Sequence, residues 1–270
     1  MRPQEPSLPP ALKLSEIKRR YVDTARPLPF EIEVALRADE RVAAKTLLAA
    51  IERRRFANRS EGQRLRTMLR FENALWARGL RLVAGVDEAG MSPLAGPVAA
   101  AAVVFSAGTR IPGVDDCKRL DPPTRERLAP VIREKALAFS VAFVEPDEID
   151  RLNIYWAGVA AMKRALSALG LQPEHVLIDG PGRGLRDLGV PHDGIVGGDG
   201  LSLSIAAASI LAKTARDARM CELDEKYPGY GLGKHKGYPV KEHFQALRKL
   251  GPSPVHRLSF APVKEAAGLA

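Results

Sequence analysis

The segment Leu82–Phe105, LVAGVDEAGMSPLAGPVAAAAVVF, constrains the chain more than any other. An apolar run from Leu82 to Val86 turns acidic at Asp87 and Glu88. It then crosses a Gly- and Pro-punctuated stretch from Gly90 to Pro97 and resumes as small and β-branched residues from Val98 to Phe105. The pattern predicts strand, loop, strand, with two carboxylates at the end of the first strand. Carboxylates leaving a buried strand are costly unless a cation compensates them, and a divalent metal would do so. Asp179 ends the apolar run Val176-Leu177-Ile178 ahead of Gly180, and Asp199 lies in Gly197-Gly198-Asp199-Gly200 before a long helical pattern. Four carboxylates at element ends could converge on one site for Mg²⁺ or Mn²⁺, which prefer oxygen ligands. The competing reading is a set of turn caps that touch only water.

A chain of 270 residues with 46% hydrophobic content fits one α/β domain and a small appendage. Cys117 and Cys221 have no metal-type spacing and suggest a reducing compartment. The start, MRPQEPSLPP, lacks the apolar core of a signal peptide, and no apolar run reaches membrane-spanning length. A cytoplasmic protein without membrane contact is expected. The formal charge of +9 is uneven, with +7 in residues 1–80 and +2 in the rest. A basic appendage beside an acid-centred body suits a protein that holds a polyanion while cutting it. A solvated basic face is the alternative.

In chain order, residues 1–10 are Pro-rich and read as a disordered tail. Leu12–Val22 is a candidate short helix, and Pro27 and Pro29 interrupt the chain after it. Val42, Leu47, Leu48 and Ile51 recur at helical spacing between Glu33 and Phe56, with Arg53-Arg54-Arg55 in the last turn, where cations complement the helix dipole. Ser60 and Gln63 have capping-box spacing, which predicts a further helix from Glu61 to Arg78 stopped by Gly79. Gly79 therefore bounds a helical N-terminal region, 11–79, from a body over 80–264 and a tail over 265–270. In the body, Asp121-Pro122 starts a helix to Leu137, Phe139–Val144 and Gly194–Val196 are strands, and Pro146–Leu169, Ser204–Tyr227 and Lys241–Leu250 are helices. Hairpin strands followed by alternating strands and helices imply a mixed sheet covered by helices. Trp76 and Trp156 read as packing residues, and His256 as an anchored surface residue.

The ordered set DEAG with PLAGPV, GDGLSLSIAAASILAKTARD and PGYGLGKHKGYPVKEHFQALRKLGPSPVHRLSFAPVK resembles bacterial ribonuclease HII over residues 80–264. The first 80 residues resemble the helical extension that some members carry. The resemblance implies a ribonuclease H-like fold, a mixed α/β sheet flanked by helices and preceded by a small all-helical domain. It also implies an endoribonuclease that cuts the RNA strand of RNA–DNA hybrids and cuts 5′ of single ribonucleotides in duplex DNA, as a monomer. Asp87, Glu88, Asp179 and Asp199 match the four catalytic, metal-binding carboxylates of a two-metal Mg²⁺ or Mn²⁺ site. Asp87 and Asp179 are read as shared ligands, and Asp217 as a supporting residue that could equally pair with its helix neighbours.

Substrate contacts implied by the family fall on Gly90, Met91 and Ser92, on Asp116, Cys117 and Lys118, on Lys213, and on Tyr238, which would read the 2′-hydroxyl with the backbone of the Gly-rich loop. The departures lie here. Gly90-Met91-Ser92 replaces Gly-Arg-Gly, and Asp115-Asp116-Cys117-Lys118-Arg119-Leu120 replaces Asn-Asp-Ser-Lys-Lys-Leu. Gly197 and Leu201 stand where lysines usually flank the fourth aspartate. The favoured expectation is cleavage at ribonucleotides with weaker phosphate contact. If Ser92 occupies a positive-φ position, selectivity for the 2′-hydroxyl would fall. A noncatalytic nucleic-acid-binding paralogue is the third reading, and the four retained acids argue against it.

Overall fold

A computed structural model of the chain describes residues 13–269. The tail read over 1–10 lies outside the described residues. By its contacts the chain divides into two compact units between Arg64 and Leu65, earlier than Gly79. The reason is packing: Leu65, Met68, Leu69, Leu75 and Trp76 all join the core of the second unit.

The first unit begins with α1 (Leu14–Ile17), which runs into a π-helical turn over Lys18–Asp23. Helix α2 (Phe30–Ala38) starts directly after Pro29, and α3 (Val42–Met68) comes next. The single helix expected over Glu33–Phe56 is therefore two, broken where Asp39 turns extended and accepts the Arg41 amide at 3.0 Å. Ile17, Leu28, Ile32, Leu36, Ala44 and Ile51 make this unit's core, whereas Val42 is exposed. Helix α3 runs straight through Ser60, so the capping-box expectation fails. The arginine run is mid-helix instead of terminal, and its dipole role fails with it. Arg54 donates to the carbonyls of Tyr21 and Arg26 at 2.8 and 3.0 Å, and Arg55 pairs with Glu33 at 2.6 Å.

The second unit takes in the end of α3 and α4 (Arg70–Ala77), which stops before Gly79. Its five-stranded sheet has the order β3-β2-β1-β4-β5. Strands β1 (Val83–Ala89), β2 (Val98–Phe105) and β3 (Ala136–Val144) form an antiparallel meander, while β4 (His175–Asp179) and β5 (His192–Ile195) run parallel to β1. Strand β2 is buried along its whole length, as its unbroken VAAAAVVF run requires of a strand covered on both faces. Helix α5 (Pro122–Lys135) is capped by Asp121, which accepts the Thr124 amide at 3.0 Å.

The helix expected over Pro146–Leu169 is two, α6 (Pro146–Leu152) and α7 (Ile154–Ser167). They are broken at Asn153, whose φ is 69°. Helix α8 (Leu203–Lys226) covers one sheet face and α7 the other. Gly85 makes the α8 contact possible, because a β-carbon there would lie 2.2 Å from the Ser204 carbonyl carbon. Short α9 (Leu232–His235), α10 (Lys241–Leu250) and α11 (Ala261–Ala266) complete the unit, and α11 runs past the expected end of the body at 264. No helix among the described residues is long and apolar enough to cross a membrane.

Candidate active site

Strands β1 and β4 are parallel neighbours with Val86 opposite Ile178, so the next residues, Asp87 and Asp179, come side by side where the pairing of the two strands ends. A 3₁₀ turn over Gly198–Gly200 after β5 brings Asp199 to the same edge. Carboxylate oxygens of Asp87, Asp179 and Asp199 lie within 4.8 Å of one another. Asp87 and Asp199 are buried, and the Asp199 amide approaches Asp179 Oδ1 at 3.4 Å. Glu88 comes directly after Asp87 on a pleated strand and so points to the α7 face, where it shares a cleft with Asp179 and Met91. The expected four acids therefore gather as a trio, Asp87 and Asp199 buried and Asp179 half-buried, with the fourth beside it.

Each of three acids is harder to ionise than usual. Burial raises Asp87 well above the ordinary carboxylate range, and the charges of Glu88 and Asp179 add to it. Ser209's hydroxyl and the Glu88 amide work the other way. Burial, then the charge of Asp179, raises Glu88; burial, then Asp199, raises Asp179. The Lys118 ammonium reaches Asp199 Oδ2 at 3.0 Å. Burial opposes its charge, but the pairing with Asp199 and the fields of Asp116 and Asp87 hold it above the usual lysine range. A cluster of raised acids with only oxygen donors fits a hard divalent cation, which would relieve the mutual repulsion.

Beside the trio, two fully buried arginines hold the Gly90–Pro97 loop by its carbonyl oxygens. Arg257 donates to Met91 at 3.1 Å, to Gly90 at 2.6 Å, and to Gly96 at 3.0 and 2.9 Å. Arg216 donates to Pro97 at 2.9 Å, Ala95 at 3.1 Å and Lys236 at 3.0 Å. Burial, then the charge of Arg216, pulls Arg257 down to about 9. Gly90 has φ 94°, and a β-carbon there would sit 2.1 Å from Arg216 Nε, so this position demands glycine. Ser92 does not share that constraint: among the described residues the non-glycine positions with positive φ are Ala25, Asn153 and Lys236. The family glycine that Ser92 replaces is thus not needed for this loop conformation.

Arg216 also ties the loop to the segment bearing Tyr238. His243 Nδ1 lies 2.9 Å from the Tyr238 carbonyl, His243 Nε2 lies 3.1 Å from His256 Nε2, and the Ser253 amide donates to His256 Nδ1 at 3.0 Å. These contacts fix one neutral arrangement, with Nδ1–H of His243 donating to Tyr238 and Nε2–H of His256 donating to His243. His256 is buried, which corrects its reading as a surface residue, and burial followed by His243 lowers it to about 4.

Tyr238 itself is partly exposed, with Lys213 Nζ 5.7 Å from its ring centre, and both line a groove with Lys234, Lys236 and Asp217. Asp217 pairs with Lys213 at 2.6 Å and approaches Arg125 at 3.8 Å, which is the local pairing. Asp116 accepts the Lys118 amide at 2.8 Å and shapes the turn that delivers that lysine. Cys117 is buried, and its thiol is pushed up by burial while contacting Ser209. Trp156 is half exposed, against its reading as packing.

Sequence reasoning missed Ser209, Arg216, Arg257 and Glu72. Glu72 Oε1 accepts from Ser202 Oγ at 2.6 Å, Ser204 N at 2.9 Å and Ser204 Oγ at 2.7 Å, holding the start of α8 just after Asp199. Its signal was available, since Glu72 shares the helical face of Leu65, Leu69, Leu75 and Trp76, where an acid needs a partner.

Residues 84–263 match the family model for ribonuclease HII, and residues 13–76 match that for the ribonuclease HII N-terminal domain. Ribonuclease HII of Anaeromyxobacter sp. (strain Fw109-5) is 54% identical over 270 residues, covering 100% of this chain and 84% of that one. The Myxococcus xanthus (strain DK1622) protein is 54% identical over 257 residues, covering 95% and 87%. Among solved structures, ribonuclease H2 from Pyrococcus horikoshii OT3 aligns with a TM-score of 0.60 at 26% identity, over 69% of this chain and 97% of that one. The chain therefore belongs to the ribonuclease HII family, and it is a metal-dependent endoribonuclease of RNA–DNA substrates.

Proposed function

We propose that the protein hydrolyses the RNA strand of RNA–DNA hybrids and cuts on the 5′ side of single ribonucleotides in duplex DNA, leaving 3′-hydroxyl and 5′-phosphate ends. It would do so as a monomer in the cytoplasm. The observation that carries this reading is the trio of Asp87, Asp179 and Asp199, with oxygens within 4.8 Å, set against a loop whose carbonyls are locked by Arg216 and Arg257.

Asp87, Glu88, Asp179 and Asp199 would hold Mg²⁺ or Mn²⁺. A metal pair supplies stabilisation of the charge that develops on the attacking and departing oxygens. The protein's own groups do the rest. Lys118 steadies Asp199 and adds positive charge where phosphate must approach acids. Gly90, Met91 and Ser92 offer backbone groups to the sugar, and their side chains need not take part, which makes the exchange of Arg for Met91 tolerable. Tyr238 is held by its carbonyl at His243 and faces the groove with Lys213, suited to a ribose 2′-hydroxyl and its neighbouring phosphates. The basic first unit, with Arg53, Phe56 and Arg59 around one surface recess, would add phosphate contacts.

The test is cleavage of matched duplexes holding one ribonucleotide, four in a row, or none, each with Mg²⁺ and with Mn²⁺. The reading expects a cut 5′ of the single ribonucleotide and none in plain DNA, abolished by Asp87→Asn. Cutting of the four-ribonucleotide duplex alone would show that selectivity for the single site has been lost.

A further inference from the structure

We propose that Tyr155, Trp156 and Arg183 form a platform that carries the nucleic-acid strand as it leaves the catalytic cleft, on the sheet face opposite α8. The sequence around the pair is Asn153-Ile154-Tyr155-Trp156. Asn153 adopts φ 69°, separates α6 from α7, and caps the new helix by accepting the Trp156 amide at 3.2 Å. Both aromatics therefore stand in the first turn of α7. An aromatic on a helix that packs on a sheet ordinarily turns inward, yet Tyr155 is 48% and Trp156 49% exposed. Their rings pack edge to face, with centres 5.1 Å apart at 76°, so each holds the other in place while keeping a free face.

Position gives the pair its partner. Tyr155 lines a cleft of about 150 Å³ together with Glu88, Met91, Asp179 and Arg183. Helix α7 lies so close to the catalytic loop that a β-carbon at Gly158 would meet the Met91 sulfur at 3.0 Å. Arg183 begins the 3₁₀ turn just after Asp179, is exposed, and makes no hydrogen bond or ion pair among the described residues. An exposed aromatic pair alone would suit many partners. A free guanidinium and an aromatic pair whose Tyr155 lines the cleft of the acids suit a nucleic-acid strand, because the arginine meets phosphate and exposed rings stack on bases. This location also places one positive charge near the site from which the Arg-to-Met91 exchange removes one.

The inference rests on the proposed nuclease reading, and the experiment separates the two. The chain has two tryptophans, and Trp76 is buried, so Trp156 reports on its own surface. Full-length protein is titrated in EDTA with a duplex containing one ribonucleotide, and tryptophan emission is recorded. The expected result is saturable quenching that disappears in Trp156→Leu. In the cleavage assay, Tyr155→Ala and Trp156→Ala should each raise KM about tenfold, with a smaller effect on kcat, the loss typical of one truncated interface aromatic. Tyr155→Phe should restore KM, and Arg183→Ala should flatten the dependence of log affinity on log salt by about one unit. Unchanged emission, KM and salt slope in an enzyme that still cuts would overturn the platform and leave the nuclease reading intact. If the wild type cuts nothing, the nuclease reading fails, and the EDTA titration still decides: saturable Trp156 quenching supports the platform, and its absence overturns it.

Discussion

Replacing Asp87 by Asn should destroy cleavage and, in the absence of metal, make the protein more stable. Unit charges 4.8 Å apart repel by roughly 3.5 kcal/mol at an effective dielectric constant of about 20. Lys118 compensates Asp199, and the charges that act most on Asp87 are those of Glu88 and then Asp179. Asp179 is only partly buried, so solvent reduces the figure to about 2 kcal/mol. The value lies below a natural ceiling, because protonating an ordinary aspartate at pH 7 costs about 4 kcal/mol and would cap any larger repulsion. Asn also fits the site, since its oxygen can keep the Glu88 amide, now 2.7 Å from Asp87 Oδ1.

The pKa values of Asp87, Glu88 and Asp179 are raised in the folded protein, so the native state holds protons that the unfolded chain releases. Stability from this source is complete below about pH 4 and is lost as pH rises through the raised values. The advantage of Asp87→Asn should therefore be near zero at about pH 4 and reach roughly 4–8 °C in Tm at neutral pH and low salt. Saturating Mg²⁺ should then raise the wild type more than the variant. Thermal melts of both proteins in EDTA across this pH range, repeated with Mg²⁺, make the comparison. A variant that melts at or below the wild type at pH 8 without metal would refute the electrostatic account of the cluster.

The supporting residues carry their own expected outcomes. Because His256 is lowered to about 4 from 6.5, it stabilises the fold above about pH 6.5 and loses that contribution as pH falls toward 4. Denaturant titrations in saturating Mg²⁺ should show about 2 kcal/mol lost between pH 7 and 5, a slope that His256→Gln lacks. Arg257→Met should cost at least about 3 kcal/mol, since the Gly90, Met91 and Gly96 carbonyls lose a buried donor, and a melting temperature within a few degrees of wild type would contradict the clamp. Glu72→Ala should cost about 2–4 kcal/mol and lower kcat/KM by loosening the Asp199 turn, whereas Glu72→Gln, which keeps the accepting oxygen, should recover most of both.

What could be read from the sequence was whatever depends on neighbours along the chain. The period of the Leu82–Phe105 stretch gave the hairpin, Asp121-Pro122 gave a helix start, and acids at strand ends gave the trio, because each signal is local. The same local reasoning misplaced the break in the N-terminal helices. Ser60 and Gln63 satisfy a capping pattern, but the helix gains more by continuing until Leu65 and Met68 reach the core. Arg216 and Arg257 were illegible for a different reason. All their partners but the Lys236 carbonyl lie more than a hundred residues away, and a carbonyl is the one group every residue possesses, so no side-chain pattern marks it. The same fact explains how the chain can depart from the family at Met91 and Ser92 and keep its loop. A loop held through its backbone constrains Gly90, where φ and Arg216 forbid a side chain, and leaves its neighbours free to vary. Side-chain identity in this loop thus decides which extra contacts the substrate receives, while the loop's shape is decided by two arginines elsewhere in the chain.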